Sequence, residues 1–358
     1  MIDIYIANPD SSHSTKWFDL LRKIGLQPIW INKNDNQKSL VKLPHLINKP
    51  IFALILYLRL FRIASAASSG IRIHLQYIGY NSLPLVFLPF RFKLISTVWG
   101  SDILLNTSNN TKRLIVNRIL TLSNVITVDS MHLIPVLLDQ KVCERKIRFV
   151  PFGTDTNLFK MRHITSSSLQ FSEINPCRFL SLRQLYSVYA VNEIIQAFSI
   201  FITHYYIEHG AIPFACLDIY ATGDQEHKLR ALTSSLNLDS MISFKGRYSY
   251  SELPDILSIY HYSISASHSD AGLSASIAES MACGVVPIVN DYGDNMYWVT
   301  KEMGLSFKTA SVESLAQCLL QGYSIDYKEF LLYASNSRSQ VVDRLSNTTQ
   351  EVLLRQIL

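Results

Sequence analysis

Residues 270–289, DAGLSASIAESMACGVVPIV, set two carboxylates, Asp270 and Glu279, around a run of mostly small side chains. A glycine, a proline and an apolar run follow. A strand-like segment, YSISAS (262–267), leads in. The pattern predicts a helix through IAESMA, capped by Ser274 or Ser276 and stopped by Gly284, and then a strand VVPIV (285–289). Behind Gly272, the N–H groups of Leu273, Ser274, Ala275 and Ser276 would head that helix. Bare N–H groups and the helix dipole there both favour a phosphate. Glu279, about one turn inside, would repel a phosphate and suits sugar or ribose hydroxyls instead. Asp270, at the strand's end, could meet hydroxyls on the far side of the ligand. An anionic middle with hydroxylated ends describes a nucleotide sugar. On these residues alone, the competing reading is a solvated loop with Glu279 on a surface helix face.

The elements that must position this stretch form two series. IDIYIA (2–7), QPIWIN (27–32), IRIHLQYI (71–78), FKLISTVW (92–99) and NVITVD (124–129) read as strands, with STKWFDLLRKIG (14–25) and the 51–66 run among the helices between them. A polar, turn-rich stretch, 150–177, looks like a connection. The rhythm then restarts with RFLSLR (178–183), a helix at 193–206, CLDIYATG (216–223), a helix at 228–238, ISFKG (242–246), a helix at 251–260 and YSISAS. Strands alternating with helices predict α/β architecture with parallel sheets, whose ligands sit outside the carboxyl ends of the strands. The expectation is two Rossmann-like domains, 1–152 and 177–335, joined by a linker at 153–176 and facing each other across a cleft, with 336–358 as a C-terminal helix.

With 358 residues, two domains are the natural prior. An apolar share of 48% against 17% charged residues describes a folded chain with ample core. Five scattered cysteines (143, 177, 216, 283, 318), with no CxxC pair, argue against a disulfide framework or zinc site and for a reducing compartment. The start, MIDIYIANPD, lacks a basic n-region, so no signal peptide is expected and a cytoplasmic location is. Residues 1–150 hold 19 Lys and Arg against 8 Asp and Glu, whereas the remainder is net acidic. A basic first half suits an anionic partner, either a diphosphate-linked substrate or phosphate headgroups. No zinc-finger spacing, aromatic RNA-binding motif or Lys/Arg block points to nucleic acid. IFALILYLRLFRI (51–63) and LPLVFLPFRF (83–92) are too short to span a bilayer and read as buried elements or as contacts with the inner face of a membrane.

The opening stretch resembles the signature of retaining glycosyltransferases of glycosyltransferase family 4, of the bacterial polysaccharide-biosynthesis type. That pattern is an acid, a small-residue loop and E-A-M-A-x-G-x-P-V-I, here E-S-M-A-C-G-V-V-P-I (279–288). Further matches follow in order. VPFGTDTNLF (150–159) resembles the family's linker motif, and RFLSLRQLY (178–186) the strand that ends in a diphosphate-binding arginine. YATGD (220–224) and FKGRYS (244–249) resemble its glycine-bearing turns, and NDYGDNMYWV (290–299) its loop ending in Asn and Trp. SSHSTKW (11–17) and VWGSD (98–102) match in the first half. The similarity covers nearly the whole chain, and two departures matter. The family's acids stand eight positions apart, whereas Asp270 lies one residue further from Glu279. The family's Lys about five residues after the arginine is missing from YSVYAVNE (186–193).

This resemblance implies the GT-B fold, with the last helix crossing back to the first domain. It also implies transfer of a sugar from a nucleotide-diphosphate sugar to a lipid-linked or surface polysaccharide precursor, with no metal or other cofactor. Arg183 and the N–H groups at 273–276 would take the diphosphate, with Gly223 at the donor site. Asp102, Asp270, Glu279 and Arg183 are the expected catalytic set. His13 would contact the diphosphate or the acceptor, and Asn295 and Trp298 the sugar or acceptor. Asp102 alternatively caps the helix after WGSD, and Asn295 and Trp298 alternatively serve as turn and core residues. A nucleotide-sugar 2-epimerase, or a non-catalytic GT-B subunit that binds nucleotide, are the alternative functions.

Overall fold

The computed structural model describes residues 1–8, 11–31, 45–67, 69–104 and 110–358. The chain divides into two compact units, Met1–Pro151 with Glu351–Leu358, and Phe152–Gln350. Each is built on a six-stranded sheet of parallel strands. The interior strands are buried on both sides, because helices cover both faces of a parallel sheet, whereas the short edge strands Ile29–Ile31, Ile147–Phe149, Ile242–Phe244 and Leu305–Phe307 are only partly buried.

In the first unit the strands are β1 (Ile2–Ile6), β2 (Ile29–Ile31), β3 (Ile71–Gln76), β4 (Phe92–Val98), β5 (Val125–Val128) and β6 (Ile147–Phe149), in the order β2-β1-β3-β4-β5-β6. The helices between them are α1 (Ser12–Lys23), α2 (His45–Ala66), α3 (Leu83–Val86), α4 (Ser101–Leu104), α5 (Asn110–Leu122) and α6 (Leu133–Asp139). β3 is buried along its whole length, Arg72 and His74 included. Both converge on Asp3 of β1, with Arg72 Nε at 2.5 Å and His74 Nε2 at 3.0 Å. Burial alone would push the Asp3 carboxyl up, but hydrogen bonds from His74 and Arg72 outweigh it and hold the group at about 2.

The apolar stretch 51–63 lies within α2 and is buried on one side only. Leu56 and Leu60 are buried, whereas Leu54, Leu58 and Phe61 are exposed at helical spacing. Among the described residues no helix is long and apolar enough to cross a membrane.

In the second unit the strands are β7 (Cys177–Ser181), β8 (Ala215–Ile219), β9 (Ile242–Phe244), β10 (Tyr262–Ser265), β11 (Val286–Asn290) and β12 (Leu305–Phe307), in the order β12-β11-β10-β7-β8-β9. The helices are α7 (Val191–His209), α8 (Glu226–Ser235), α9 (Leu253–Leu257), α10 (Ala275–Ala282), α11 (Asn295–Trp298), α12 (Val312–Ser324), α13 (Tyr327–Arg344) and α14 (Asn347–Ile357). The strand order reverses between β7 and β10, which pair directly through Phe179–Tyr262 and Leu180–Ser263. This is the dinucleotide-binding order with its switch point at the centre. Aromatic rings fill the core. Tyr262 stacks on Phe179 with centroids 5.3 Å apart, and its hydroxyl donates to Gly322 O at 2.5 Å. Each such ring contributes about 2–3 kcal/mol by burial.

Residues 153–176, expected as a linker, fold onto this second unit. Thr154 bridges to Ser346, and the Ser168 carbonyl accepts from His261 Nε2 at 2.9 Å. α14 begins in this unit, and the chain from Glu351 onward groups with the first.

Candidate functional site

The signature stretch folds as a strand, loop and helix. Ser274, with extended backbone, is the N-cap of α10, its Oγ accepting from Ile277 N–H at 3.4 Å, and this settles the choice left open with Ser276. Gly284, at φ +75°, ends the helix in the left-handed conformation that glycine adopts most easily. The N–H groups of Ala275 and Ser276 head the helix, where the dipole favours an anion.

β10 neighbours β7, so the loop carrying the signature lies beside the loop carrying Arg183. Two of the expected residues meet there. Arg183 Nη2 lies 2.9 Å from Asp270 Oδ1 and 2.7 Å from Oδ2. The guanidinium also lies over the Tyr189 ring, 4.4 Å from its centroid, a cation–π contact. Its Nε is buried and has no hydrogen-bond partner among the described residues. Asp270 was expected to face hydroxyls; its carboxylate is instead engaged by Arg183.

The backbone around this pair is tightly fitted. A Cβ on Gly293 would come within 2.3 Å of Asp270 O and 2.6 Å of Ala271 O, so the loop after β11 can close on the loop after β10 only without a side chain there. Asp294 N–H donates to Ala271 O at 2.8 Å. On the other side, His268 N–H donates to Val188 O at 3.0 Å, and the His268 ring meets Glu193 at 3.2 Å. Gly223 does the same for the Arg183 loop. A Cβ there would sit 2.3 Å from Leu185 O, and Gln225 N–H donates to that carbonyl at 2.9 Å.

Glu279 is buried in α10 and faces two tyrosines from the loop after β9. The Tyr250 phenol is pushed up by its own burial, by the Glu279 charge and by a hydrogen bond to that carboxylate. Tyr248 is pushed up to about 12, again by burial first and by the Glu279 charge second, while Arg183 pulls the other way. Tyr248 therefore sits within the fields of both groups. Sequence reasoning missed Tyr248, Tyr250 and the His268–Glu193 pair. The one available signal was a turn, GRYSYS (246–251), carrying two aromatic side chains in an otherwise polar loop.

The remaining expected residues lie elsewhere. Asn295 is buried, and its Nδ2 donates to Asn290 O at 3.1 Å and Oδ1 at 2.9 Å; Asn290 Nδ2 in turn donates to Ser267 O at 2.9 Å. That chain ties the loops after β11 and β10 together. Trp298 is a core residue, 1% exposed. Both sit as turn and core residues, the alternative given for them in the sequence. Asp102 lies in the first unit and is fully buried. Its Oδ2 accepts from Ile78 N–H and its Oδ1 from Trp99 N–H, each at 3.0 Å, so it joins the loops after β3 and β4. Burial raises this carboxyl to about 6, against the pull of those N–H groups. Both oxygens are engaged by backbone, which is the geometry of a loop anchor. His13 falls in the first turn of α1, and its side chain lies outside the described residues.

The arrangement offers a cation with a free buried N–H, a helix N-terminus and a buried carboxylate at the carboxyl ends of neighbouring parallel strands. Residues 172–325 match the family model described as glycosyl transferases group 1, a span that holds Arg183, Gly223, Asp270 and Glu279. No curated protein matches the sequence. The chain is similar in fold to sucrose-phosphate synthase from Thermosynechococcus elongatus, with a TM-score of 0.77 and 16% identity over 100% of this chain and 98% of that one. Anabaena HepE in complex with UDP-glucose gives 0.75 and 14% over 100% and 99%. A glycosyltransferase from Rickettsia africae gives 0.74 and 17% over 99% and 97%. The fold is that of the GT-B glycosyltransferases, and the family match supports glycosyl transfer.

Proposed function

We propose that the chain is a retaining glycosyltransferase that moves a sugar from a nucleotide-diphosphate donor to a lipid-linked or surface polysaccharide precursor. One observation carries the reading: where β7 and β10 end, at the switch point of the second sheet, Arg183 meets Asp270 of the loop that enters α10, and Tyr248 lies in the fields of both Arg183 and Glu279. The diphosphate lies against Arg183 and the N–H groups of Ala275 and Ser276, and Glu279 holds the ribose hydroxyls. As the bond between the sugar C1 and the diphosphate oxygen breaks, Arg183 and these N–H groups take up the developing charge. The acceptor hydroxyl attacks C1 from the face that the diphosphate is leaving, so the anomeric configuration is kept. Its proton passes to the departing diphosphate, and no enzyme nucleophile is needed. Asp102 and Gly223 serve as positioning residues, the first for the loops after β3 and β4, the second for the Arg183 loop.

The acceptor side of the reading rests on the first unit. Residues 45–118 hold nine Lys and Arg and a single acid, Asp102, which is buried. With Leu54, Leu58 and Phe61 exposed on α2, this surface suits an anionic bilayer at the cytoplasmic face.

A panel of radiolabelled nucleotide sugars with membrane extract tests the reading. UDP-glucose comes first, because the Anabaena HepE structures carry UDP and UDP-glucose. Label transferred to lipid supports it; isomerised free donor would indicate an epimerase, and binding without turnover a non-catalytic subunit. Glu279→Ala is expected to weaken donor binding about a hundredfold, the scale of losing charge-assisted hydrogen bonds. Unchanged affinity and transfer in that variant would refute the placement of the site.

A further inference from the structure

The pairing of Asp270 with Arg183 gives the acid a role that its position at the strand end did not suggest. That role depends on Arg183 being the diphosphate ligand of the proposed glycosyltransferase site. Yet one carboxylate already holds its Nη2 at 2.7 and 2.9 Å, and a second, Glu279, lies buried nearby. The guanidinium is held against the Tyr189 ring, 4.4 Å from its centroid. The backbone of Asp270 is held, its carbonyl closed upon by Gly293, which leaves its carboxylate to turn about the side-chain bonds. A phosphate arriving at Arg183 finds the buried Nε–H unclaimed and Nη2 occupied.

We infer that Asp270 is an internal counter-ion that competes with the donor's diphosphate for Arg183 and changes partner during turnover. When the full donor binds, a phosphate oxygen replaces the carboxylate at Nη2, and the released Asp270 accepts from a hydroxyl of the sugar. After transfer the sugar has gone and Asp270 has lost that partner. It returns to Arg183 and weakens the hold on the nucleoside diphosphate left behind. The missing lysine fits this arrangement: with Arg183 as the cation assigned to the diphosphate, a single carboxylate suffices to alter the charge balance. The consequence is discrimination. The wild-type site favours a nucleotide sugar, which gives both groups new partners, over the bare nucleoside diphosphate, which satisfies Arg183 and strands Asp270.

Isothermal titration calorimetry with UDP, GDP and ADP and their glucose conjugates tests this on the wild-type chain, Asp270→Asn and Asp270→Ala. Thermal melts identify which variants are folded, and the alanine variant serves if the asparagine one is not. The expected result is that the nucleoside diphosphate bound by the wild type binds about tenfold tighter to the variants, the weight of a half-buried ion pair. The wild-type preference for the sugar conjugate should shrink or reverse. Were the variants to bind the diphosphate no tighter, with the preference intact, Asp270 would not be a competitor, and the glycosyltransferase reading would stand. A wild-type chain that binds none of these ligands would overturn both.

Discussion

Tyr250 reaches the most important carboxylate of the site, and its energetics separate binding from chemistry. Its hydroxyl hydrogen-bonds Glu279, a group assigned to ribose hydroxyls that take no part in the bond changes. A ligand contact made equally in the ground and transition states alters KM and leaves kcat alone. Tyr250→Phe removes one hydrogen bond to a buried charge. It should raise the donor KM about three- to tenfold, with kcat within about twofold of wild type. A fall in kcat at constant KM would place Tyr250 in the chemical step instead. Among the candidate residues, Glu279 was legible from a local pattern, a small-residue loop entering a helix, and Arg183 from the resemblance of RFLSLRQLY to the family's strand. Tyr250 was not, because its partner lies on another element and aromatic side chains in a polar turn carry no periodicity.

At the scale of elements, α2 is one whose sequence left two readings open. The run FALILYLRLF (52–61) reads as a buried element or a membrane-surface contact, and among its described side chains Leu56 and Leu60 are buried while Leu54, Leu58 and Phe61 are exposed. Leu54 is 58% exposed and Leu58 55%, in a segment rich in Lys and Arg. An amphipathic basic helix binds an anionic surface by inserting its apolar stripe while its cations meet the headgroups. The wild-type chain should therefore sediment with vesicles containing phosphatidylglycerol and leave neutral phosphatidylcholine vesicles in the supernatant. Leu54→Glu, Leu58→Glu and Phe61→Glu combined should cut that binding at least about tenfold while preserving the melting temperature, because all three side chains face outward. Equal binding by wild type and triple variant would remove α2 from the acceptor side of the function. Most helix and strand positions followed from periodicity, but the three-residue edge strands β6 and β12 did not, because so short a segment carries no period.

For the whole molecule, buried histidines make stability depend on pH. His261 of the second unit accepts from Arg178 N–H at Nδ1, 3.0 Å, and donates from Nε2 to Ser168 O, 2.9 Å, so both ring nitrogens are engaged in the neutral form. Burial, then the Arg162 charge, lowers its pKa from 6.5 to about 4. Between those values the unfolded chain holds a proton that the folded chain refuses, so stability falls as pH drops from 6.5 to about 4, by about 3 kcal/mol. In the first unit, burial lowers His74 with the same sign. Asp3, held at about 2, contributes stability that is present above 3.8 and lost as pH falls toward 2. Asp102, raised to about 6, acts in the opposite sense between 6 and 3.8, so the His261 contribution is read as a difference. From pH 7 to pH 4 the urea midpoint of the wild-type chain should lose more than that of His261→Gln, which is less stable at pH 7. Parallel profiles for the two chains would rule out a buried neutral His261. The sequence by itself determined the two βα series, the helix that starts at the signature and the residue types able to bind a nucleotide sugar, because propensity, capping and periodicity act over a few neighbouring residues. The tertiary structure decided which of those residues meet. The reversal of strand order between β7 and β10 brings Arg183 and Asp270, 87 positions apart, into one ion pair. In the first unit the pairing of β3 with β4 buries Asp102 as a loop anchor, and in the second the loop after β9 places two tyrosines against Glu279. Contacts between strand ends follow from sheet order, and sheet order is a property of the whole packed core that no local stretch encodes.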